Sequence, residues 1–256
     1  MIIQDEKELN ILKTGSSLLA SILSELEKAA KPGIKTQELD ELARDLILKS
    51  GAKPAFLGYK PKGAKEGYPA TLCVSLNDEI VHGLPSERII QNGDLVSLDL
   101  GLNYKGYFSD MAVTLAMGKI KKREQGLIKT SKDGLDFAIK QIKPGIKTGD
   151  LGFLIQSFVE KKGFFVVKEL VGHGIGKVPQ EFPYLPNWGK RKEGTELKEG
   201  MILAVELMIS EKQTEIETLP DGWTIKTADN SLSSHFEHTI AIRKQGAEIL
   251  TTIPNS

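Results

Sequence analysis

The chain has 256 residues and a mass of 28.1 kDa, enough for one sizeable core, and 40% of it is hydrophobic. Its 34 basic side chains are balanced by 34 acidic ones, which excludes a strongly basic chain and advertises no nucleic-acid or membrane-surface partner. A lone cysteine, Cys73, excludes an internal disulfide, and no apolar run approaches the roughly 20 residues of a membrane helix.

MIIQDEKELN is charged too early for a secretory signal, so the expectation is a cytoplasmic protein. A helical pattern runs over Glu6–Ala30 and ends at Lys-Pro-Gly. The hexamer KPGIKT follows at Lys31–Thr36. Beyond it Leu39, Leu42, Ala43, Leu46 and Ile47 mark one face of an amphipathic helix, with Thr36 as the expected N-cap and Gly51 as the stop. Strand-like segments come next. Asp94–Gly118 predicts two strands joined at NYKG, with Leu98, Leu100 and Leu102 on one face and Ser97, Asp99 and Gly101 on the other.

A second helical pattern, Glu124–Ile142, leads to the same hexamer at Lys143–Thr148, 112 residues after the first. There Leu151, Leu154, Ile155, Phe158 and Val159 repeat the apolar stripe, bounded by Thr148 and Gly163. More strand-like segments complete the half. One domain is predicted over 1–256, built of halves about 1–118 and 119–256 related by a pseudo-two-fold axis, with the functional site where they meet.

Four carboxylates interrupt apolar strands. If Asn103 and Gly106 flank the hairpin turn symmetrically, Asp99 and Asp110 stand directly opposite each other. Like charges across a ladder are destabilising and persist in apolar surroundings only around a cation or a shared proton. Glu206 in MILAVELMI and Glu237 in HFEHTIAI repeat the anomaly. His173 in VGHGIG is the remaining candidate ligand, its flanking glycines leaving the imidazole unobstructed. Four carboxylates and one imidazole suit a pair of divalent ions better than one structural zinc, and such pairs serve hydrolysis.

NDEIVHGLP, the Asp99/Asp110 hairpin, GHGIG, AVELM and GWTIKTADNSLSSHFEHT together resemble the type I methionine aminopeptidases, in order and spacing, from about residue 5 onward. The resemblance implies the pita-bread fold, an α/β (α+β) domain whose pseudo-two-fold halves form an antiparallel sheet backed by helices. It implies removal of the N-terminal methionine from nascent proteins by hydroxide attack at a dimetal centre. Asp99, Asp110, His173, Glu206 and Glu237 become the metal ligands, Asp110 and Glu237 being placed to approach both ions. The ions implied are two of Co²⁺, Mn²⁺, Fe²⁺ or Zn²⁺, with a monovalent cation near Asn77, Glu79 and Ser233. Glu206 is the expected proton shuttle and His82 a substrate-contacting imidazole, while Tyr68, Cys73 and Trp223 match the walls of the methionine pocket. The chain resembles the short bacterial form, without the cysteine-rich extension or the type II insert. Its implied partners are N-terminal peptides of nascent chains, with transient ribosome association and a monomeric state.

The chain departs from the family at two positions, an exchange that reads equally as compensation or as neutral drift with reduced activity. The family's second histidine after GHGIG is Gln180 here, and its usual glutamine two residues before the last glutamate is His235. Both are candidate catalytic residues, and strand periodicity points His235 to the same side as Glu237. A lining aromatic appears as Pro179, and another, near Lys65 in PKGAKEG, is missing, which predicts a looser pocket. Alternative readings are an aminopeptidase of altered specificity, a proline-directed peptidase, or a binding homologue impaired in catalysis. The last would be expected to lose ligands and gain basic tracts.

Overall fold

The computed structural model describes residues 1–61, 63 and 65–253. Its elements in chain order are α1 (Glu6–Ala29), α2 (Thr36–Lys49), β1 (Lys53–Pro54), β2 (Leu72–Leu76), β3 (Glu79–Val81), β4 (Leu95–Tyr104) and β5 (Tyr107–Ala116). Then come α3 (Lys122–Gln141), α4 (Thr148–Glu160), β6 (Phe165–Val166), β7 (Val171–Gly174), β8 (Glu181–Pro186), β9 (Ile202–Ser210), β10 (Ile216–Thr218), β11 (Ile225–Thr227), β12 (Ser233–Arg243) and β13 (Gly246–Ile249). Among the described residues no helix is long and apolar enough to cross a membrane.

Ten strands form one antiparallel sheet in the order β1-β4-β5-β12-β9-β7-β8, with β2 on β4, β6 on β9 and β13 on β12. A small sheet of β10, β11 and β3 lies beside it. The helices cover one face of the large sheet. Against α1 and α2 pack Leu98, Leu100 and Leu102 of β4, with Leu19, Leu23, Leu39 and Ala43 from the helices. Against α3 and α4 pack Leu203, Val205 and Leu207 of β9, with Ile240 and Ile242 of β12. Because side chains alternate along a strand, burying these rows directs the intervening residues to the opposite face.

The two hexamers make matching contacts. Gly33 N–H donates to Ile90 and Gly145 N–H to Leu197, while Thr36 N–H donates to Arg88 and Thr148 N–H to Thr195. Each copy thus clasps the segment that leads into a long central strand, β4 in one half and β9 in the other. The threonines are the first helical residues, not the N-caps. Lys35 and Lys147 occupy the cap positions. The hydroxyl of Thr36 bridges to the backbone of Ser86, and that of Thr148 accepts from Thr195 N–H, so both serve the clasp. Gly51 and Gly163 end the helices at positive φ, as expected.

The hairpin register also differs from expectation. Tyr104 pairs with Tyr107, leaving a two-residue turn of Lys105 and Gly106, both at positive φ, a geometry whose twist suits adjoining strands. Asp99 therefore faces Ala112, and Asp110 faces Gly101. The two aspartates are diagonal neighbours on one face, and they do not stand opposite each other.

Candidate metal centre

One row of the sheet explains the arrangement. Asp99 on β4 pairs with Ala112 on β5, Ala112 with Glu237 on β12, and Glu237 with Glu206 on β9. Three carboxylates thus stand in line on the face away from the helices, and the small Ala112 leaves space between them. Asp110 lies two residues along β5 from Ala112, hence on the same face. His173 on β7 pairs with Ala204, two residues from Glu206, and so joins them. His235 pairs with Met208 and shares the face of Glu237. Ligand atoms of Asp110, His173 and Glu237 all lie within 4.8 Å of one another. The Glu206 carboxylate sits between two imidazoles, Oε1 3.7 Å from His173 Nε2 and Oε2 3.5 Å from His235 Nε2.

The glycines beside His173 act differently from the expectation that they merely free the imidazole. A Cβ at Gly172 would lie 2.7 Å from the Ala204 carbonyl oxygen, so its absence lets β7 approach β9 closely enough to hold His173 at Glu206.

The electrostatics are those of a site built for cations. Asp110 is 7% exposed and Glu237 3% exposed. Burial, reinforced by the neighbouring carboxylates, pushes Asp99 and Glu237 well above the usual carboxylate range. Burial raises Asp110 from 3.8 to about 6. Asp99 Oδ1 and Glu237 Oε1 are buried without a hydrogen-bond partner. Such orphaned oxygens in a set of four carboxylates and at least one imidazole fit divalent metal ions, which supply the missing partner and favour the ionised form.

A cavity of ≈ 260 Å³ opens onto this face. Tyr68, Cys73 and Trp223 line it as expected, and the Tyr68 and Trp223 rings meet edge to face at 5.2 Å. The Tyr68 hydroxyl donates to the Gly83 carbonyl at 3.0 Å. His82, at φ 58° just past β3, also lines the cavity, and burial lowers its pKa toward the neutral form. Pro179, Gln180 and His235 reach the same cavity, so the exchanged His/Gln pair does meet at the site. Phe56 and Tyr59 are wall residues the sequence reading missed. Gly101 carried a signal for the first: it lies on the site face, and a Cβ there would be 2.7 Å from the Phe56 ring. Within PKGAKEG, Lys62 and Ala64 lie outside the described residues, and Lys65 is exposed. Tyr59, six residues earlier, provides aromatic surface from the same loop. Asn77, Glu79 and Ser233 lie together, the Ser233 hydroxyl donating to the carbonyls of Glu79 at 2.9 Å and Asn77 at 3.3 Å. The Glu79 carboxylate is engaged elsewhere, in a bidentate pair with Arg88.

A helix-backed antiparallel sheet presenting buried carboxylates and imidazole to an aromatic-walled cavity defines a metal-dependent hydrolase class. The profile of metallopeptidase family M24 matches residues 10–244, and the chain belongs to that family. It is similar to a methionine aminopeptidase of Aquifex aeolicus, 43% identical with 97% of each chain covered. A methionine aminopeptidase 1 of Bacillus subtilis is 39% identical over 99% of this chain and all of the relative. Among solved structures, methionine aminopeptidase from Thermotoga maritima superimposes with a TM-score of 0.93 at 41% identity, covering 98% of this chain and all of that one. A prolidase from Pyrococcus horikoshii shares the fold at a TM-score of 0.76 and 24% identity, and only 64% of its length is covered. The fold is the pita-bread fold.

Proposed function

We propose that the chain is a methionine aminopeptidase that removes N-terminal methionine from newly made proteins. The observation that carries this reading is the single cavity whose lining joins the carboxylate–imidazole face to the aromatic rings of Phe56, Tyr59, Tyr68 and Trp223. Relatives at about 40% identity over nearly the whole chain support it. Asp99, Asp110, His173, Glu206 and Glu237 would hold two divalent ions, Co²⁺, Mn²⁺, Fe²⁺ and Zn²⁺ all suiting the donors. When bound, the ions supply Lewis acidity, lowering the pKa of water and polarising the scissile carbonyl.

The chain's own residues do the rest. Phe56, Tyr59, Tyr68, Cys73 and Trp223 bury the methionine side chain and exclude water from it. Neutral His82 offers a ring N–H to the scissile amide. Glu206, between its two imidazoles, accepts the proton of the attacking water at its carboxylate and returns it to the leaving nitrogen. The Gln180 side-chain amide, which cannot titrate, orients the peptide at the rim. The carbonyls gathered at Ser233 would hold the monovalent cation. The substrates are peptides with a free N-terminus, met in the cytoplasm and at the ribosome by a monomeric enzyme.

A second reading, an aminopeptidase of relaxed specificity, draws on Pro179 at an expected aromatic position. Phe56 and Tyr59 restore aromatic wall to the pocket and favour the first. The deciding measurement is release of free methionine from Met-Ala and Met-Gly peptides with added Mn²⁺, Co²⁺ or Fe²⁺, beside Leu-Ala and Phe-Ala controls. Release from Met peptides alone is expected. Equal release from all four would establish the relaxed reading, and no metal-dependent release would overturn both.

A further inference from the structure

The register of the two central strands reveals a local two-fold that the helices only hint at. Ala112 of β5 pairs with Glu237 of β12, and Met111 pairs with His238. Asp110 N–H donates to Thr239 Oγ1 at 2.8 Å, and that hydroxyl donates back to the Asp110 carbonyl at 2.8 Å. Across the axis His235 N–H donates to Thr114 Oγ1 at 2.8 Å, and that hydroxyl donates back to the His235 carbonyl at 2.9 Å. The same threonine clamp therefore holds Asp110 in one half and His235 in the other. The sequences SDMAVT (109–114) and SHFEHT (234–239) superimpose under this operation. Asp99, which pairs with Ala112, then corresponds to Glu206, which pairs with Glu237.

His235 thus occupies the position that Asp110 occupies in the other half. Its side chain is only 2% exposed, and neither ring nitrogen has a hydrogen-bond partner. A core histidine of purely structural role would satisfy at least one nitrogen. Its Nε2 faces Glu206 Oε2 at 3.5 Å, beyond a good hydrogen bond. Two donors held about 2.1 Å from one ion stand about 3.4 Å apart at a tetrahedral angle, so the spacing suits a shared ion. We propose that His235 is a metal ligand through Nε2, giving the centre a second imidazole related to Asp110 by the local two-fold.

The inference rests on the metal-centre reading above and adds a donor to it. A second nitrogen donor favours later first-row ions, so Co²⁺ and Zn²⁺ should gain over Mn²⁺. The test uses the full chain titrated with Co²⁺, read by calorimetry and by the far-shifted exchangeable ring N–H proton resonances of Co²⁺-bound histidines. Two such resonances are expected in the unaltered protein, and one each in His235→Gln and His173→Gln. Affinity for Co²⁺ should fall more than tenfold in His235→Gln, and that for Mn²⁺ by less. Circular dichroism establishes that each variant is folded, and His235→Asn serves in place of a glutamine variant that is not. A single resonance in the unaltered protein that survives in His235→Gln and vanishes in His173→Gln overturns the proposal while leaving the metal centre intact. Absence of Co²⁺ binding in the unaltered protein overturns the metal-centre reading itself.

Discussion

Replacing Asp110 by Asn should stabilise the metal-free protein while weakening the metal-loaded one. The Asp110 carboxyl is 7% exposed, and burial raises its pKa from 3.8 to about 6. Between those values the folded state holds a proton that the unfolded chain has released, so stability falls as pH rises through that window and stays lower above it. The shift of about 2 units costs about 3 kcal/mol at pH 7.5. The asparagine side chain would carry no charge to bury. It can keep the 3.0 Å bond that Met111 N–H donates to Oδ1, and it stays within hydrogen-bonding reach of the Asp99 carboxyl. At roughly 2–4 °C per kcal/mol for a chain of this size, the variant should melt about 6–12 °C higher at pH 7.5 with EDTA, and the gap should shrink at pH 4. Adding excess Co²⁺ should reverse the order, because ions stabilise whichever protein binds them more tightly. The assay is thermal unfolding by circular dichroism across pH, with and without metal. Equal melting points for the two metal-free proteins at pH 7.5 would refute the claim that burial raises the pKa of this carboxyl.

Glu237→Gln removes a proposed metal ligand that pairs with both Ala112 and Glu206, and methionine release at matched Co²⁺ should fall by more than about 100-fold with the circular dichroism spectrum retained. Peptides Met-Gly and Met-Ala should be cleaved at least about tenfold faster than Met-Leu and Met-Lys, measured as kcat/KM; indifference to the second residue would indicate a broader enzyme. Trp223→Ala removes the ring that packs on Tyr68, and kcat/KM for Met-Ala should drop by about 10–100-fold, with much less effect on Ala-Ala. Gly152→Ala would set a Cβ 2.3 Å from the Trp188 carbonyl oxygen, so α4 must move off the 186–189 backbone, at about 1–3 kcal/mol in a urea titration.

Element periodicity was enough to reveal the helices and the duplicated hexamer, because apolar stripes survive wherever a helix must cover the sheet. Carboxylates in apolar strands likewise announced the site, since burying charge without a partner is costly. Three features were out of reach for physical reasons. The hairpin register turned on Lys105 adopting positive φ, which a non-glycine residue seldom does. The caps were misplaced because Thr36 and Thr148 spend their hydroxyls on another segment of chain, a tertiary contact with no local signal. The strand repeat was hidden because function had rewritten it. Serine and threonine persist at the ends of SDMAVT and SHFEHT, while Asp110 has its counterpart in His235 and Ala112 in Glu237.

The order β4-β5-β12-β9 has a consequence for the history of each molecule. Among the described residues β12 is the long strand that comes latest in the chain, yet it sits in the middle of the sheet, between β5 and β9. Before it arrives, Asp99 and Asp110 belong to one half and His173 and Glu206 to the other, with two bare edges facing an empty lane. A chain in which β12 had not yet paired would leave both edges open to wrong partners. Pairing of that one strand completes the ladder, brings Glu237 and His235 to the shared face and joins the halves, so closure of the sheet and assembly of the carboxylate–imidazole face depend on the same element.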